Sequence, residues 1–303
     1  MQRIILFLLT NLAIMVVASI VLNVLGVGRF ISNGQMNLQS LLIFCAVFGF
    51  TGSFISLFIS KWMAKRSMGV VLVETPRNAD EKWLVDTVAE IAQKAGIKTP
   101  EIGIFPAQES NAFATGWNRN AALVAVSLGM LQRFERDEVR AVLAHEIGHV
   151  ANGDMITLSL IQGVVNTFVM FFARIIGFMV DKALQGNNER SGTGIGYYIA
   201  TFVAEMVLGV LASMIVAAFS RYREFRADEA GANLGDRNAM IRALQRLQVE
   251  SGQSANAMPA SMQAFAISGN IGRFFATHPP LEVRIQALRD GANSPQALQK
   301  SLS

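Results

Sequence analysis

The sequence contains a single cysteine, only three histidines and few charged side chains. Cys45, the one cysteine among 303 residues, excludes an intramolecular disulfide framework and fits a reducing compartment. Charged residues make up 16% of the chain and hydrophobic residues 52%, whereas a soluble enzyme usually carries about 25% charged residues. No basic patch with interleaved aromatic residues occurs in the sequence, so nucleic acid is not expected as a partner. These shortages indicate a membrane protein with a soluble portion.

Long apolar segments account for this composition. Four of them stand out, at residues 4–27, 38–59, 155–180 and 195–219. Crossing the hydrocarbon core takes roughly 20 residues, which all four provide. The third contains Arg174 and the fourth contains Glu205, and such charges are costly unless they face protein or water. We predict four transmembrane helices; the alternative for the last two is a buried helical hairpin within a soluble domain.

Basic residues follow the second and fourth apolar segments: Lys61, Lys65, Arg66, Arg221, Arg223 and Arg226. Because cytoplasmic flanks carry an excess of Lys and Arg, both termini and the soluble parts are predicted to face the cytoplasm. Residues 1–66 then form an N-terminal transmembrane hairpin and residues 155–219 a second one. Residues 67–154 and 220–303 supply the two halves of the soluble domain.

The soluble domain is predicted to combine helices with a small β-sheet. Residues 70–73 and 102–104 have strand character, and an amphipathic helix runs from Asp80 to Ile91. Residues 111–126 are typical of a β-hairpin with its turn at 116–120. The edge of such a sheet can bind an extended peptide backbone. The fold class is therefore mainly α with a small sheet.

Two of the three histidines lie four residues apart with a glutamate between them. On a helix, His145 and His149 share one face and can bind a single metal ion. Glu146 lies about 100° around the helix from His145, where it can reach an attacking water without ligating the metal. This is the His-Glu-x-x-His arrangement of zinc metallopeptidases. The alternative is a structural role, in which the two histidines cap a helix or line a core.

The helix that carries this motif has clear sequence signals. Asp137 is the predicted N-cap, and Asn-Gly-Asp at residues 152–154 is a stop signal. Gly148 lowers helix stability by about 1 kcal/mol relative to alanine. Its presence indicates close packing near the site.

A catalytic zinc site with two histidines and a water needs one more protein ligand. Glu224 is the preferred candidate, and Asp228, four residues later, can accept the free N–H of a ligating histidine. His278 is a second candidate ligand, whereas Cys45 lies in an apolar segment and is a poor one. The alternative is that Glu224 and Asp228 pair with neighbouring arginines on a solvated helix face.

These segments together resemble the HtpX family of bacterial inner-membrane zinc proteases, gluzincins related to the Ste-type prenyl-protein proteases. The resemblance rests on residues 145–154 (HEIGHVANGD) and 223–228 (REFRAD), with support at 110–116, 125–127 and 277–280. It implies a gluzincin-like cytoplasmic protease domain that holds one Zn²⁺ per chain. It also implies protein substrates, membrane proteins among them, and a role in membrane-protein quality control.

Other site residues follow from the chemistry and from this resemblance. The oxyanion of peptide hydrolysis needs a donor, and His278 and Tyr222 are both candidates. Asn111 and Ala112 resemble family positions near the cleft and are candidates for substrate binding. Arg284 either pairs with a carboxylate in the cleft or faces solvent.

Three other functions compete with zinc-dependent proteolysis by Glu146, His145, His149 and Glu224. A scaffold with a structural metal usually has four protein ligands, and only three convincing ones are found here. A transporter is motivated by the charges within the spans, but four spans and a large soluble portion disfavour it. A prenyl-protein protease shares the metal chemistry but normally has a larger membrane chamber. The sequence carries no signal for the oligomeric state.

Overall fold

The computed structural model describes residues 2–27, 30–32, 35–185, 193–256 and 276–291. Its helices are α1 (Gln2–Val24), α2 (Leu38–Met68), α3 (Ala79–Lys94), α4 (Leu128–Arg133), α5 (Arg136–Asn152), α6 (Asp154–Gln185), α7 (Ile195–Leu234), α8 (Arg237–Asn256) and α9 (Leu281–Asp290). Its strands are β1 (Ile31–Ser32), β2 (Gln35–Met36), β3 (Val71–Leu72), β4 (Glu101–Phe105), β5 (Ala112–Thr115) and β6 (Leu123–Ser127). The predicted class, mainly α with a small sheet, is confirmed.

Contacts divide the chain into two units. The first comprises Met1–Ser56 and Leu158–Val216, and the second comprises Leu57–Thr157 and Ala217–Ser303. The divisions predicted at residues 66 and 219 follow changes in composition but fall inside α2 and α7, which continue without a break. The division predicted after residue 154 lies at the start of α6. The topology of two transmembrane hairpins stays a prediction.

Within the described residues, three helices are long and apolar enough to cross a membrane: α2, α6 and α7. A shorter apolar stretch, Leu9–Val24, lies in α1. The helices α6 and α7 expose many large apolar side chains, including Phe168, Phe172, Phe202, Met206 and Leu211. Water would disfavour such a surface, so the alternative of a hairpin buried in a soluble domain does not fit.

The charges within the third and fourth apolar segments pair with each other. Arg174 on α6 donates to the carboxylate of Glu205 on α7 at 2.9 Å, and also to the carbonyl oxygen of Met170 at 3.1 Å. The two helices approach closely nearby, since a Cβ atom at Gly177 would lie 2.0 Å from the hydroxyl oxygen of Thr201. The ion pair therefore reduces the cost of both charges in apolar surroundings.

The second unit contains a four-stranded sheet in the order β3-β4-β6-β5. β4 and β6 are parallel, with Ile102 opposite Val124, while β3 and β5 run antiparallel to their neighbours. The predicted hairpin is present as β5 and β6. β5 lies at the edge of the sheet, so one side of its backbone has no partner strand within the described residues.

Helices α3 and α5 cover the sheet and form the core of the second unit. Their buried apolar residues include Leu84, Val88, Ile91, Val142, Leu143 and Ile147. Asn78 caps α3 by accepting the backbone N–H of Glu81 at 2.8 Å. Arg140 on α5 donates to both carboxylate oxygens of Glu90 on α3, at 2.9 and 2.6 Å. These contacts fix the helix that carries the histidine motif.

The N-cap of α5 is Glu135, so the prediction of Asp137 is wrong. The carboxylate of Glu138 accepts the backbone N–H of Glu135 at 2.9 Å, which starts the helix two residues earlier. Asp137 instead pairs with Arg242 on α8. At the other end, Gly153 adopts the left-handed conformation with φ +71° and ends the helix, as the stop signal predicted.

Candidate metal centre

Helix α5 presents His145 and His149 on one face, with their ring centroids 4.8 Å apart. Helix α7 packs directly against this face. A Cβ atom at Gly148 would lie only 2.5 Å from the Cβ of Ala230 on α7. The close packing predicted from Gly148 is therefore present, and it brings the next side chain of the site within reach.

Glu224 on α7 completes a cluster of three side chains that could hold a metal ion. Its Oε2 atom lies 3.6 Å from Nε2 of His145, and its Oε1 atom lies 3.3 Å from Nε2 of His149. The three ligand atoms all lie within 4.8 Å of one another. Ligands of a tetrahedral zinc ion, with bonds of about 2.0–2.1 Å, lie about 3.4 Å apart. The donor set and its spacing therefore fit zinc.

Each histidine has a carboxylate on the side away from Glu224. Nδ1 of His145 lies 2.9 Å from Oδ1 of Asp228, the predicted orienting residue. Nδ1 of His149 lies 2.6 Å from Oδ2 of Asp154, which the sequence reasoning did not assign. A carboxylate at Nδ1 favours the tautomer whose Nε2 is free to ligate. Asp154 is thus placed to orient the ring of His149, and Asp228 lies at the corresponding atom of His145.

Arg284, in the first turn of α9, is buried against the site and does not face solvent. Its Nε and Nη2 atoms donate to the two oxygens of Asp228 at 2.8 and 2.6 Å. Its Nη1 atom lies 3.3 Å from Oε2 of Glu224. Of the two alternatives stated for Arg284, the structure shows the pairing with cleft carboxylates.

Arg223 is a further buried residue, to which the sequence analysis assigned no role in the site. Its Nη1 atom donates to the backbone carbonyl of Asp154 at 3.1 Å, and its Nη2 atom donates to the hydroxyl of Ser220 at 3.2 Å. It therefore links α7 to the residue whose carboxylate contacts His149. Its neighbour Glu224 was recognisable from ligand chemistry, whereas a backbone contact 69 residues away leaves no sequence pattern.

The charges of the cluster shift the pKa values of its members. Burial opposes ionisation of Glu224, yet His149 and His278 hold its pKa well below the usual range. Burial opposes protonation of His149, yet the carboxylates of Asp154 and Glu224 raise its pKa to about 9. Burial also raises the pKa of Glu146, against the opposite effect of the two histidines beside it.

The remaining predicted residues lie at different distances from the cluster. Nδ1 of His278 lies 2.8 Å from Oε2 of Glu224, while the His278 side chain is 65% exposed. Tyr222 is 44% exposed and lies two residues before Glu224, about 200° around the helix. Within the described part of the chain, no hydrogen bond joins Tyr222 to the cluster. The structure therefore brings His278 to the site and does not bring Tyr222.

Asn111 and Ala112 lie at the start of the edge strand. The backbone N–H of Asn111 donates to the hydroxyl of Ser127 at 3.0 Å, and its carbonyl accepts the N–H of Ser127 at 2.8 Å. Ala112 is the first residue of β5, which packs against α5. These contacts fix the start of the strand beside the motif helix.

Comparison with known proteins agrees with this geometry. The model of "Peptidase family M48" matches residues 78–292, which include the histidine motif and Glu224. The chain belongs to peptidase family M48. This M48 chain is 73% identical over 294 residues to "Protease HtpX" of Cellvibrio japonicus, covering 97% of this chain and 100% of that one. It is 63% identical over 295 residues to "Protease HtpX" of Pseudomonas putida, covering 95% and 99%.

The fold also resembles a solved structure, the "Crystal Structure of S. mikatae Ste24p". The TM-score is 0.61 at 19% identity, and the match covers 82% of this chain and 58% of that one. At this identity the similarity supports the fold alone. The relatives confirm the resemblance stated from the sequence and show that the M48 chain is a metalloprotease, that is, a hydrolase.

Proposed function

We propose that this M48 protease is a zinc-dependent endopeptidase of the bacterial inner membrane. It cleaves membrane proteins or misfolded proteins on the cytoplasmic side, and so serves membrane-protein quality control. The observation that carries the zinc chemistry is the convergence of His145, His149 and Glu224, with ligand atoms within 4.8 Å of one another. The carboxylates of Asp228 and Asp154, which lie at Nδ1 of His145 and of His149, also support zinc binding.

The residues have distinct roles in hydrolysis. His145, His149 and Glu224 would hold one zinc ion, which when bound lowers the pKa of a water and polarises the scissile carbonyl. Glu146 accepts a proton from the attacking water and passes it to the leaving amine. Burial raises the pKa of Glu146, which favours this exchange because a base is most effective with a pKa near the operating pH.

The residues around the three proposed ligands orient the imidazoles and balance the charges of the carboxylates. Asp228 and Asp154 orient the two imidazoles. Arg284 offsets the negative charge of Asp228 and Glu224, since it donates to the first at 2.6 Å and lies 3.3 Å from the second. His278 is preferred over Tyr222 as donor to the oxyanion because it lies at the cluster.

The free edge of β5 supports peptide binding. An extended substrate can add to this edge through backbone hydrogen bonds, which do not depend on the side chains of the substrate. Asn111 and Ala112, at the start of the strand, are proposed to contact that backbone. Because β5 packs against α5, such a peptide would lie next to the helix of the catalytic residues.

The membrane topology completes the proposal. Four proposed spans, formed by α1 and by the apolar parts of α2, α6 and α7, would place both termini and the candidate metal centre in the cytoplasm. The basic residues after the second and fourth apolar segments support this orientation. The site would then lie close to the inner membrane surface.

Substitution of the proposed base tests the function. Glu146→Gln removes the proton acceptor but none of the three ligands. We expect zinc content to be unchanged and cleavage of an unfolded soluble protein by detergent-purified enzyme to fall by about a hundredfold or more.

Glu109→Gln, an equally conservative change at an exposed glutamate, is the matched control and should leave the rate unchanged. Wild-type cleavage should stop when a chelator removes the metal. Substantial cleavage by zinc-loaded Glu146→Gln would contradict the role of Glu146, and chelator-insensitive cleavage would contradict the zinc mechanism.

A further inference from the structure

A large aromatic side chain is exposed at the tip of the hairpin that joins β5 to β6. Trp117 is 47% exposed, although an indole ring usually buries a large apolar area. The turn that presents it is well defined. Gly116 has φ +147°, and a Cβ atom there would lie 2.8 Å from the carbonyl oxygen of Ala121. The side-chain oxygen of Asn118 accepts the N–H of Asn120 at 2.7 Å.

Two further exposed aromatic residues lie on α2. Phe58 is 58% exposed, and its ring centroid is 5.8 Å from that of Trp117. Trp62, one turn further along α2, is 55% exposed. Residues four apart share a helix face, so Trp62 extends the same surface. We call Phe58, Trp62 and Trp117 the aromatic tip cluster.

The aromatic tip cluster lies where the apolar segment of α2 ends. Residues 38–59 of α2 are apolar, and the helix then carries Lys61, Lys65 and Arg66. Tryptophan is enriched where hydrocarbon meets headgroups, and lysines near span ends reach the same level. Nζ of Lys61 donates to the carbonyl of Ala121 at 3.4 Å and lies 2.8 Å from Glu101. This contact holds the hairpin tip at the level where α2 would leave the bilayer.

Exposed basic residues flank the aromatic tip cluster. Arg119 lies in the same turn as Trp117, and Arg66 lies in the last turn of α2; both are exposed. Anionic lipids of the cytoplasmic leaflet attract basic side chains at this level. An exposed aromatic surface with basic neighbours, continuous with a membrane helix, therefore fits a lipid surface better than water.

We propose that the aromatic tip cluster inserts into the headgroup region of the cytoplasmic leaflet, with anionic lipid headgroups on Arg66 and Arg119. The consequence for substrates rests on the proposed function. β5 ends at Thr115, directly before the inserted turn, and packs against α5. A polypeptide that leaves the bilayer can then pair with the free edge of β5 at once. The substrates that fit are membrane proteins with an extended cytoplasmic segment next to a span.

Tryptophan fluorescence tests the insertion directly. The chain has three tryptophans, so Trp62→Phe with Trp83→Phe leaves Trp117 as the reporter in full-length protein. Trp62→Phe with Trp117→Phe leaves Trp83, which stacks with Arg136 at the first residue of α5, as the matched control. Both are reconstituted in vesicles of phosphatidylcholine and phosphatidylglycerol, with phosphatidylcholine brominated either near the headgroup or near the chain end.

We expect lipid brominated near the headgroup to quench Trp117 at least about twofold more than Trp83, because an interfacial indole lies at that depth. Bromine near the chain end should quench Trp117 less. Quenching of Trp117 no stronger than that of Trp83 would overturn the proposal. If the aromatic tip cluster bound another protein and not lipid, Trp117 would be quenched no more strongly than Trp83, because the vesicles contain no other protein.

A pair of substrates tests the consequence for substrate capture. One is an unfolded soluble protein, and the other is the same segment joined to a single transmembrane anchor in vesicles. Trp117→Ser should lower cleavage of the anchored segment by about tenfold, since burial of a group of this size is worth a factor of that order. Cleavage of the soluble protein should be unchanged, and Trp117→Phe should restore the anchored rate.

The outcomes separate this inference from the proposed function. An equal loss on both substrates would show a structural role for Trp117 and overturn the capture step. If the wild-type enzyme cleaves neither substrate, the proposed function is contradicted. The fluorescence result would still decide whether the aromatic tip cluster inserts into the membrane.

Discussion

At the scale of single residues, the candidate metal centre consists of paired opposite charges. His149 lies between Asp154, 2.6 Å from its Nδ1, and Glu224, 3.3 Å from its Nε2. Without a metal, a proton on His149 is stabilised by both carboxylates, which raise its pKa to about 9. A metal ion held by His145, His149 and Glu224 would take the place of this proton. The same arrangement therefore stabilises the metal-free fold and prepares the ring for the ion.

The pH dependence of the metal-free protein follows from this shift. Because the folded pKa of His149 is raised to about 9 from an unfolded value of about 6.5, its stabilising contribution is complete below about pH 6.5. It is lost as the pH rises through about 9. In Asp154→Asn, which removes one carboxylate, we expect a smaller contribution that is lost at lower pH. Thermal unfolding in detergent with chelator, measured as a function of pH, checks this.

The second readout for Asp154→Asn is zinc affinity, which should fall by about 10–100-fold because an orienting carboxylate is lost. Asp86→Asn is the control, since Asp86 pairs only with Lys82 on the surface of α3 in the described contacts. Identical pH profiles for Asp154→Asn and wild type would contradict the role of Asp154.

Asp228 and Asp154 show what the sequence can predict at this scale. Asp228 was predictable because it follows Glu224 by four residues on a helix, and residues four apart lie on the same helix face. Asp154 follows His149 by five residues, beyond the end of α5. Its carboxylate returns to the ring because Gly153 adopts φ +71°. Helical periodicity does not describe such a turn, so the stop signal predicted the end of the helix but not this contact.

At the scale of secondary-structure elements, the site depends on how closely α5 and α7 approach. Gly148 on α5 faces Ala230 on α7, and Gly231 on α7 lies opposite His145, where a Cβ atom would be 3.3 Å from the Cβ of His145. Small residues on both helices thus bring Glu224 within ligand distance of the histidines. Larger residues would separate the two helices and widen the cluster.

Gly148→Ala tests this dependence. Helix propensity alone would stabilise α5 by about 1 kcal/mol. However, the new Cβ would lie 2.5 Å from the Cβ of Ala230, and overpacking of this kind costs about 1–3 kcal/mol. We therefore expect a net loss of stability and weaker zinc binding, measured by thermal unfolding and zinc titration.

Two variants control the Gly148→Ala experiment. Ala230→Gly added to Gly148→Ala should restore most of the zinc affinity, because it removes the atom in conflict. Gly209→Ala lies on α7 where a Cβ atom meets nothing within 4 Å, so it should be neutral or slightly stabilising. Gly148→Ala with wild-type stability and zinc affinity would show that close approach of the helices is not required.

The bounds of the elements were predictable only where a local signal marks them. The strands around the 116–120 turn and the end of α5 have such signals. The start of α5 was misassigned, because Glu135, Asp137 and Glu138 all have carboxylates that can accept a backbone N–H at a helix start. Only the hydrogen bond from the backbone N–H of Glu135 to the carboxylate of Glu138 decides between them. The 40-residue α7 was divided at residue 219, because hydropathy changes there while the backbone hydrogen bonds continue.

At the scale of the whole molecule, three helices connect an apolar part of the chain to a polar one. α2, α6 and α7 each contain a candidate span, and the polar end of α7 carries Glu224. The order of strands, with β4 parallel to β6 and β5 at the edge, involves contacts between segments far apart in sequence. Such contacts do not follow from local patterns, and the sequence predicted the hairpin without its place in the sheet.

Arg174 and Glu205 test what the charges inside the apolar part do. They form an ion pair at 2.9 Å between α6 and α7. Removing one partner of a poorly solvated pair leaves an uncompensated charge and costs about 3–5 kcal/mol, whereas replacing both with apolar residues is often neutral or stabilising. We expect Arg174→Leu or Glu205→Leu alone to lower the thermal midpoint in detergent, and the double variant to recover it.

The proteolytic rate of the double variant distinguishes a structural ion pair from one that contributes to cleavage. If Arg174 and Glu205 only neutralise each other within the apolar segments, the double variant keeps wild-type stability and wild-type cleavage of a soluble unfolded protein. The control is Met206→Leu, a volume-conserving change at a 59% exposed position on α7. If either single variant, Arg174→Leu or Glu205→Leu, is as stable as wild type, the ion pair does not stabilise the protein as expected. A double variant that is stable but inactive would instead show that Arg174 and Glu205 contribute to proteolysis, because the fold would then be intact while cleavage is lost.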